Sequence, residues 1–360
     1  KQAVPTQNLA RQSFRLWRSR YTMTTQASGD HLLSAAQRVW SEVSPEIKVS
    51  NEIVDGSLLP AEDLKKVVKW LQHSITKFGA SAAVAEGEDR DKALKPIAEE
   101  VIKAFTAAAG TLLSLRKGAG ESLIRELQEN GSGLADAIGG LGASVGKQSM
   151  AASAGKALER VKFFERTSTQ NRAAVRRRLL KSVAQLRDAS KEMTEELRVE
   201  EGGGGGAGGY PSAEAESEDE DEEFSEFQEA PLEPSERRVV EAILKAASLL
   251  EEQLKEASSS TLPKTSSSES SLPGPSLEQL EAAAVHAEMG TGAIDALAAD
   301  AVGGIDFEAC KKGMSKLQEA LGALGAQFSA VASDDLQSAF DAIKEALDAA
   351  QSEEGAQAES

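Results

Sequence analysis

Only a few residues in this 360-residue chain stand at spacings that chemistry could use, and each lacks a partner that the chemistry requires. Gly142-Ala143-Ser144-Val145-Gly146 has the Gly-x-Ser-x-Gly pattern of a nucleophile elbow, in which a strained strand-to-helix turn lifts a serine hydroxyl toward its base. Its surroundings are Gly/Ala-rich and helical in spacing, with no strand before them, so no elbow is expected. Val145-Gly146-Lys147-Gln148 has the end of a phosphate-binding loop, but Leu141 stands where the first glycine belongs and Gln148 where the magnesium-binding Ser or Thr is required. His286-Ala287-Glu288 has the His-x-Glu spacing of zinc deaminases without their paired cysteines. His31, His73 and His286 are the only histidines, and none follows a glutamate by three residues, which removes the repeated Glu-x-x-His of a di-iron bundle. No catalytic, cofactor or metal residue is assigned, and the chain is read as non-enzymatic.

Binding chemistry is better represented. Residues 201–235 combine a glycine run with a block of carboxylates and contain no basic residue. Such a stretch has too little apolar surface to offset the entropy of ordering it, about 1–2 kcal/mol per residue for the backbone. It is expected to be a disordered acidic linker. Within it, Phe224 and Phe227 lie in the polyanion Glu214–Glu229, an interleaving that suits docking onto a basic groove; a solubilising spacer is the plainer reading. Ser217 precedes Glu218-Asp219-Glu220 and is a candidate phosphorylation site, where a phosphate adds about −1.5 to −2 charge. Ten Lys and Arg residues make 156–187 the basic pole of the molecule, with Arg176, Arg177 and Arg178 as its densest cluster. That pole reads as a solvated face, as a dock for the acidic linker, or as a partner site, with Arg176–Arg178 the recognition cluster.

Composition narrows the class. A formal charge of −18 argues against sequence-independent binding to phosphate backbones, which needs a positive surface. Aromatics make up 4% of the chain and Ala, Leu and Val dominate the apolar set, which favours packed helices over sheets. The single cysteine, Cys310, excludes an intrachain disulfide and suits a reducing compartment. No apolar run approaches the roughly 20 residues of a membrane span.

The elements follow from apolar periods of three and four. A short helix is expected over His31–Val43, stopped by Pro45. A second begins after Pro60, with Leu64, Val67, Val68, Leu71, Ile75 and Phe78 inward and Lys65, Lys66 and Lys69 outward. A third covers about Asp89–Lys117. Glycines divide the next stretch into two short helices, Glu121–Gln128 and Leu134–Val145; others cover Ala151–Arg166 and Gln170–Val199. Beyond the linker, Val240, Ile243, Ala247, Leu250 and Leu254 mark one helix. A Ser-rich loop at 257–276 follows, then helices near Leu277–Met289 and Ile294–Val302. Phe307, Cys310, Met314, Leu317, Leu321, Leu324, Phe328 and Val331 form a heptad pattern that reads as a bundle seam or as an intermolecular zipper. A last helix carries Leu336, Phe340, Ile343 and Leu347, with Asp334 as its N-cap. The chain is therefore expected to be all-α, in antiparallel bundles split by the acidic linker. Its parts are a basic segment 1–29, a helical bundle 30–200, the linker 201–235, a helical region 236–352 and a disordered tail 353–360. The basic segment has the composition of an organelle transit peptide or of translated upstream sequence with Met23 as the natural start.

The stretches TLLSLRKGAGESLIRELQEN and SAGKALERVKFFERTSTQNRAAVRRRLLKSVAQLRDASKEMTEEL resemble the helical core of the cyclin-D-binding (GCIP) proteins. Those proteins have a similar helix that starts on an Asn-led, Ala-containing segment, here Asn171-Arg172-Ala173-Ala174, and ends on Asp-Ala…Glu-Met, here Asp188 to Met193. The stretch LEQLEAAAVHAEMGTGAIDALAADAVGGIDFEACKKGMSKLQEAL resembles the family's carboxyl-terminal half. The resemblance implies a five-helix core of vinculin and talin type, no catalysis and no cofactor. It also implies binding to D-type cyclins and helix-loop-helix factors, negative regulation of cell-cycle progression, and residence in cytoplasm and nucleus. A cytoskeletal or adhesion scaffold built on the same bundle is the alternative.

Overall fold

The computed structural model describes residues 33–58, 61–85, 87, 89–198, 232–261, 274–302, 305–328 and 333–358. Ten α-helices run through them, with no strand among the described residues: α1 Ala35–Val43, α2 Ala61–Val84, α3 Arg90–Leu115, α4 Glu121–Ala143, α5 Met150–Glu165, α6 Asn171–Arg198, α7 Pro234–Ser260, α8 Leu277–Ala301, α9 Phe307–Gly325 and α10 Ser333–Ala358. The all-α expectation is met. The chain forms two compact units, Lys1–Val175 and Arg176–Ser360, so the boundary falls inside α6. The expected linker 201–235 lies almost wholly outside the described residues, as does the segment 1–29.

In the first unit, α1 packs on α3 and α4, α3 on α2, α2 on α5, and α5 on α4. The five helices thus close a ring around one core, whose largest fully buried side chains include Phe78, Phe105 and Phe164. The sequence stripe of α2 is inward as expected: Leu64, Val68, Leu71, Ile75 and Phe78 are buried, and Val67 is partly so. Pro45 ends α1 by opening a one-turn 3-10 helix, Ser44–Glu46. Pro96 sits inside α3 yet does not break it; it is in the second turn, where the missing N–H costs one hydrogen bond and neighbouring packing retains the helix.

Two expected breaks do not occur. Residues 121–143 form one helix, not two, because Gly131 is where the ring of Trp40 from α1 rests on α4: a Cβ there would overlap that ring. The glycine serves close packing rather than a break. Likewise α8 is continuous through Gly290, against which Leu250 of α7 and Ala320 of α9 pack.

In the second unit, α7 packs on α8 and α10, α8 on α9, and α9 on α10. The heptad face of α9 is an intradomain seam: Cys310, Leu317, Leu321 and Leu324 are fully buried, and Leu297 of α8 fills the space over Gly313. The helix stops at Gly325, Phe328 is buried just beyond it, and Val331 lies outside the described residues. Asp306 caps α9 by accepting hydrogen bonds from Glu308 N and Ala309 N. Three boundaries shift. The helix α7 continues to Ser260, four residues into the expected Ser-rich loop. Asp334 is in the first turn of α10 rather than at its N-cap, and α10 runs to Ala358, so 353–358 is helix and not a tail.

Burial, reinforced by Asp300 and Asp306, pushes the Cys310 thiol up to about 11. With almost no thiolate at neutral pH and no exposure, it is expected to resist alkylation in the native state. Iodoacetamide treatment at pH 7.5 followed by intact-mass analysis should show no adduct before denaturant and one after.

Candidate partner-binding surfaces

The basic pole divides between the two units. In the first, Arg172 of α6 meets Asp55 at 2.8 Å, and the Arg160 guanidinium lies 5.6 Å from the Phe163 ring centre. In the second, Arg178 grips Glu288 of α8 with a bidentate fork: Nε donates to Oε1 at 2.8 Å and Nη2 to Oε2 at 2.7 Å. Its side chain is 9% exposed. Arg187 donates to Glu251 of α7 at 2.7 Å, and Lys255 joins the same carboxylate at 2.8 Å. Burial raises the Glu251 carboxyl, but the hydrogen bonds and charges of Lys255 and Arg187 outweigh it and hold the group below the usual carboxylate range. Arg176 is half-buried and Arg177 exposed. Arg178 and Arg187 of α6 therefore tie this helix to α8 and α7 through Glu288 and Glu251.

Forked arginine–carboxylate pairs depend on planar geometry that lysine lacks. Removing Arg178 takes two charge-assisted hydrogen bonds from Glu288, so Arg178→Ala is expected to cost about 2–3 kcal/mol. Arg178→Lys should recover less than half of that in chemical denaturation of the second unit.

Asn171, the first residue of α6, organises one end of the first unit. It is fully buried. Its Oδ1 accepts from Gly120 N at 2.7 Å, and its Nδ2 donates to Gly118 O at 2.7 Å and Val54 O at 2.8 Å. One amide thereby ties the α3–α4 turn to the segment 47–58. The same segment is held by Val54 N donating to Gly118 O, Ser50 N to Ala119 O and Leu58 N to Thr169 O. Gly118 adopts φ +87 directly beneath Val54, a backbone state that side chains disfavour. Glu126 completes the clamp by accepting from Ser168 N and Oγ. Held this way, the segment presents Val49, Ile53 and Val54, which are 43–49% exposed.

A second apolar feature lies on α2 and α3. Trp70 is 38% and Val84 79% exposed, and with Lys77 they follow at intervals of seven residues. Lys77 pairs with Glu100 of α3 at 3.0 Å. That hydrogen bond chiefly holds the Glu100 carboxyl below its usual range, with a weaker hydrogen bond from the Trp70 indole acting in the same direction. Sequence reasoning placed only lysines on the outer side of α2 and missed Trp70; the signal was an aromatic outside the inward stripe.

Phe224, Phe227 and Ser217 lie outside the described residues. The serine of the Gly-x-Ser-x-Gly match, Ser144, caps α4 rather than following a strand; its Oγ donates to Leu141 O at 2.8 Å. Glu288 of the His-x-Glu match is committed to Arg178. Among the described residues no group of three His, Cys, Asp or Glu side chains is placed to hold a metal ion, and no helix is long and apolar enough to cross a membrane.

Compared with known families, residues 63–198 match the family model described as Grap2 and cyclin-D-interacting, N-terminal. The match covers just over a third of the chain, from the first turn of α2 to the last residue of α6. No curated protein matches the chain.

Proposed function

From the cyclin-D-interacting domain at residues 63–198, we propose that this protein is a non-enzymatic adaptor. It binds a D-type cyclin or a helix-loop-helix factor and thereby restrains cell-cycle progression, in the cytoplasm and nucleus. The observation that carries the reading is the family match. The match runs from the first turn of α2 to the end of α6, and the family's description names an interaction rather than a catalysed reaction. The mode is docking of a partner helix on an apolar helix face, for which the exposed residues of α2 and of segment 47–58 are available. The acidic tract with Phe224 and Phe227 and the exposed Arg177 are further contact residues in this reading. Arg176 and Arg178 act with them only through the fraction left exposed.

The test is co-precipitation of the tagged full chain from cells of its own source, read by mass spectrometry. Enrichment of a cyclin or a helix-loop-helix protein is the expected result. Enrichment of cytoskeletal proteins alone, with cosedimentation on filamentous actin, would replace the reading by a scaffold.

A further inference from the structure

The face shared by α2 and α3 carries a large aromatic side chain that burial does not account for. Trp70 carries an indole that is 38% exposed, although a tryptophan of a closed bundle gains most by facing inward, as Trp40 does at 8%. The short connection between α2 and α3 makes them antiparallel neighbours. The Glu100 carboxylate meets both Lys77 and the Trp70 indole, which sets Trp70 against α3 beside Glu100. Along the exposed side of α3 follow Lys103 and Gly110, with the half-buried Ala107 between them, and an added Cβ at Gly110 would meet nothing within 4 Å. A large aromatic thus stands beside a smooth, low strip, a shape that lets a second helix approach closely and rest on the indole. Further along α2, Val84 adds apolar surface.

Charge identifies the occupant. In a chain of net charge −18, the stretch of α2 and α3 around Trp70 carries the neutralised pairs Lys66–Asp63 and Lys77–Glu100 together with the exposed side chains of Lys69 and Lys103, neither of which is ion-paired among the described residues. An apolar anchor with a basic rim selects a partner with an apolar ridge and acidic flanks, because desolvated like charges are penalised as strongly as complementary ones are favoured. We propose that the α2–α3 face is a docking site for an acidic amphipathic helix of a partner protein, with Trp70 as its anchor and Lys69 and Lys103 as its charge selectors. This rests on the partner-binding reading above and names the chemistry of the partner.

The probe is a pair of 18-residue peptides sharing one Leu/Phe ridge at helical spacing, one with Glu flanks and one with Lys flanks, titrated into the full chain at low salt. The Glu peptide is expected to bind at least ~10-fold more tightly and to lose that advantage as ionic strength rises. Trp70→Ala should weaken it about 30-fold, the size of an aromatic hot spot. The double change Lys69→Glu, Lys103→Glu leaves the apolar surface intact and should reverse the preference, which keeps the test decisive if the tryptophan variant unfolds. Equal binding of the two peptides, or a preference untouched by the lysine changes, overturns the proposal. Co-precipitation separates it from the broader reading: a Trp70→Ala chain that folds and still captures the cyclin removes this face alone, whereas peptide selectivity without any captured cyclin upholds the face and removes the partner.

Discussion

Asn171→Ala is expected to be the most destabilising small change in the first unit, at about 4 kcal/mol. The side chain supplies three buried hydrogen bonds, to Gly120 N, Gly118 O and Val54 O. Each is worth about 1 kcal/mol in exchange with water, but deleting one partner strands the others, at about 1–3 kcal/mol for each buried group left unpaired. The effect should be read locally, as loss of amide-exchange protection at Gly120, Val54 and Leu58 together with a lowered unfolding midpoint. Asn171→Asp separates hydrogen bonding from packing. An aspartate keeps the acceptor for Gly120 N but, when ionised, turns negative oxygen toward two carbonyls, which raises its folded-state pKa. A raised carboxyl pKa means the folded state binds more protons than the unfolded one. The deficit of Asn171→Asp should therefore shrink as pH falls. An Asn171→Ala loss below about 1 kcal/mol would show that water replaces the amide at little cost.

Gly131→Ala should be the next largest effect, and of a kind opposite to what helix propensity alone predicts. In a helix interior alanine is favoured over glycine by about 1 kcal/mol. Here the new methyl would fall on the Trp40 ring, which is 8% exposed and pinned between α1 and α4. Overpacking of this kind costs about 1–3 kcal/mol, and more when a ring cannot move. A net loss of about 2 kcal/mol is expected, with red-shifted tryptophan emission as Trp40 is displaced. Trp40→Leu in the same chain should recover most of the loss, giving a coupling energy of about 1–2 kcal/mol in a double-mutant cycle. A Gly131→Ala chain as stable as the parent would mean that α1 does not press on α4 at this point.

The outcome at Gly131 also explains why part of the fold was unreadable. Glycine breaks a helix when solvent is its neighbour and stabilises an interhelical contact when a bulky side chain is, and the neighbour is 91 residues away in sequence. The same ambiguity split α8 at Gly290, which Leu250 and Ala320 cover. Stripes that need no such partner were legible: Leu64, Val68, Leu71, Ile75 and Phe78 are inward on α2, and of the α3 stripe Leu94, Ile97, Val101, Phe105, Ala108 and Leu112 all are buried but Ile97, which is partly so. Of the candidate contact residues, the arginine cluster stood out by composition, but the pairing of Arg178 with Glu288 joins two helices 110 residues apart. Asn171 stood out only as part of a family resemblance, since a lone asparagine at a helix start has the ordinary look of a cap.

The amino-acid sequence by itself determined the helical class, the inward faces of the longer helices and the kinship of residues 63–198. These depend on local periodicity and on residue types that a short window contains. Tertiary structure alone decided which glycines are contacts, which arginines are consumed by internal pairing, and that α6 belongs to two compact units. It alone left Trp70 outside the core. Each of those outcomes depends on which surfaces meet, because burial and ion pairing acquire their energies only when distant segments exclude water from one another.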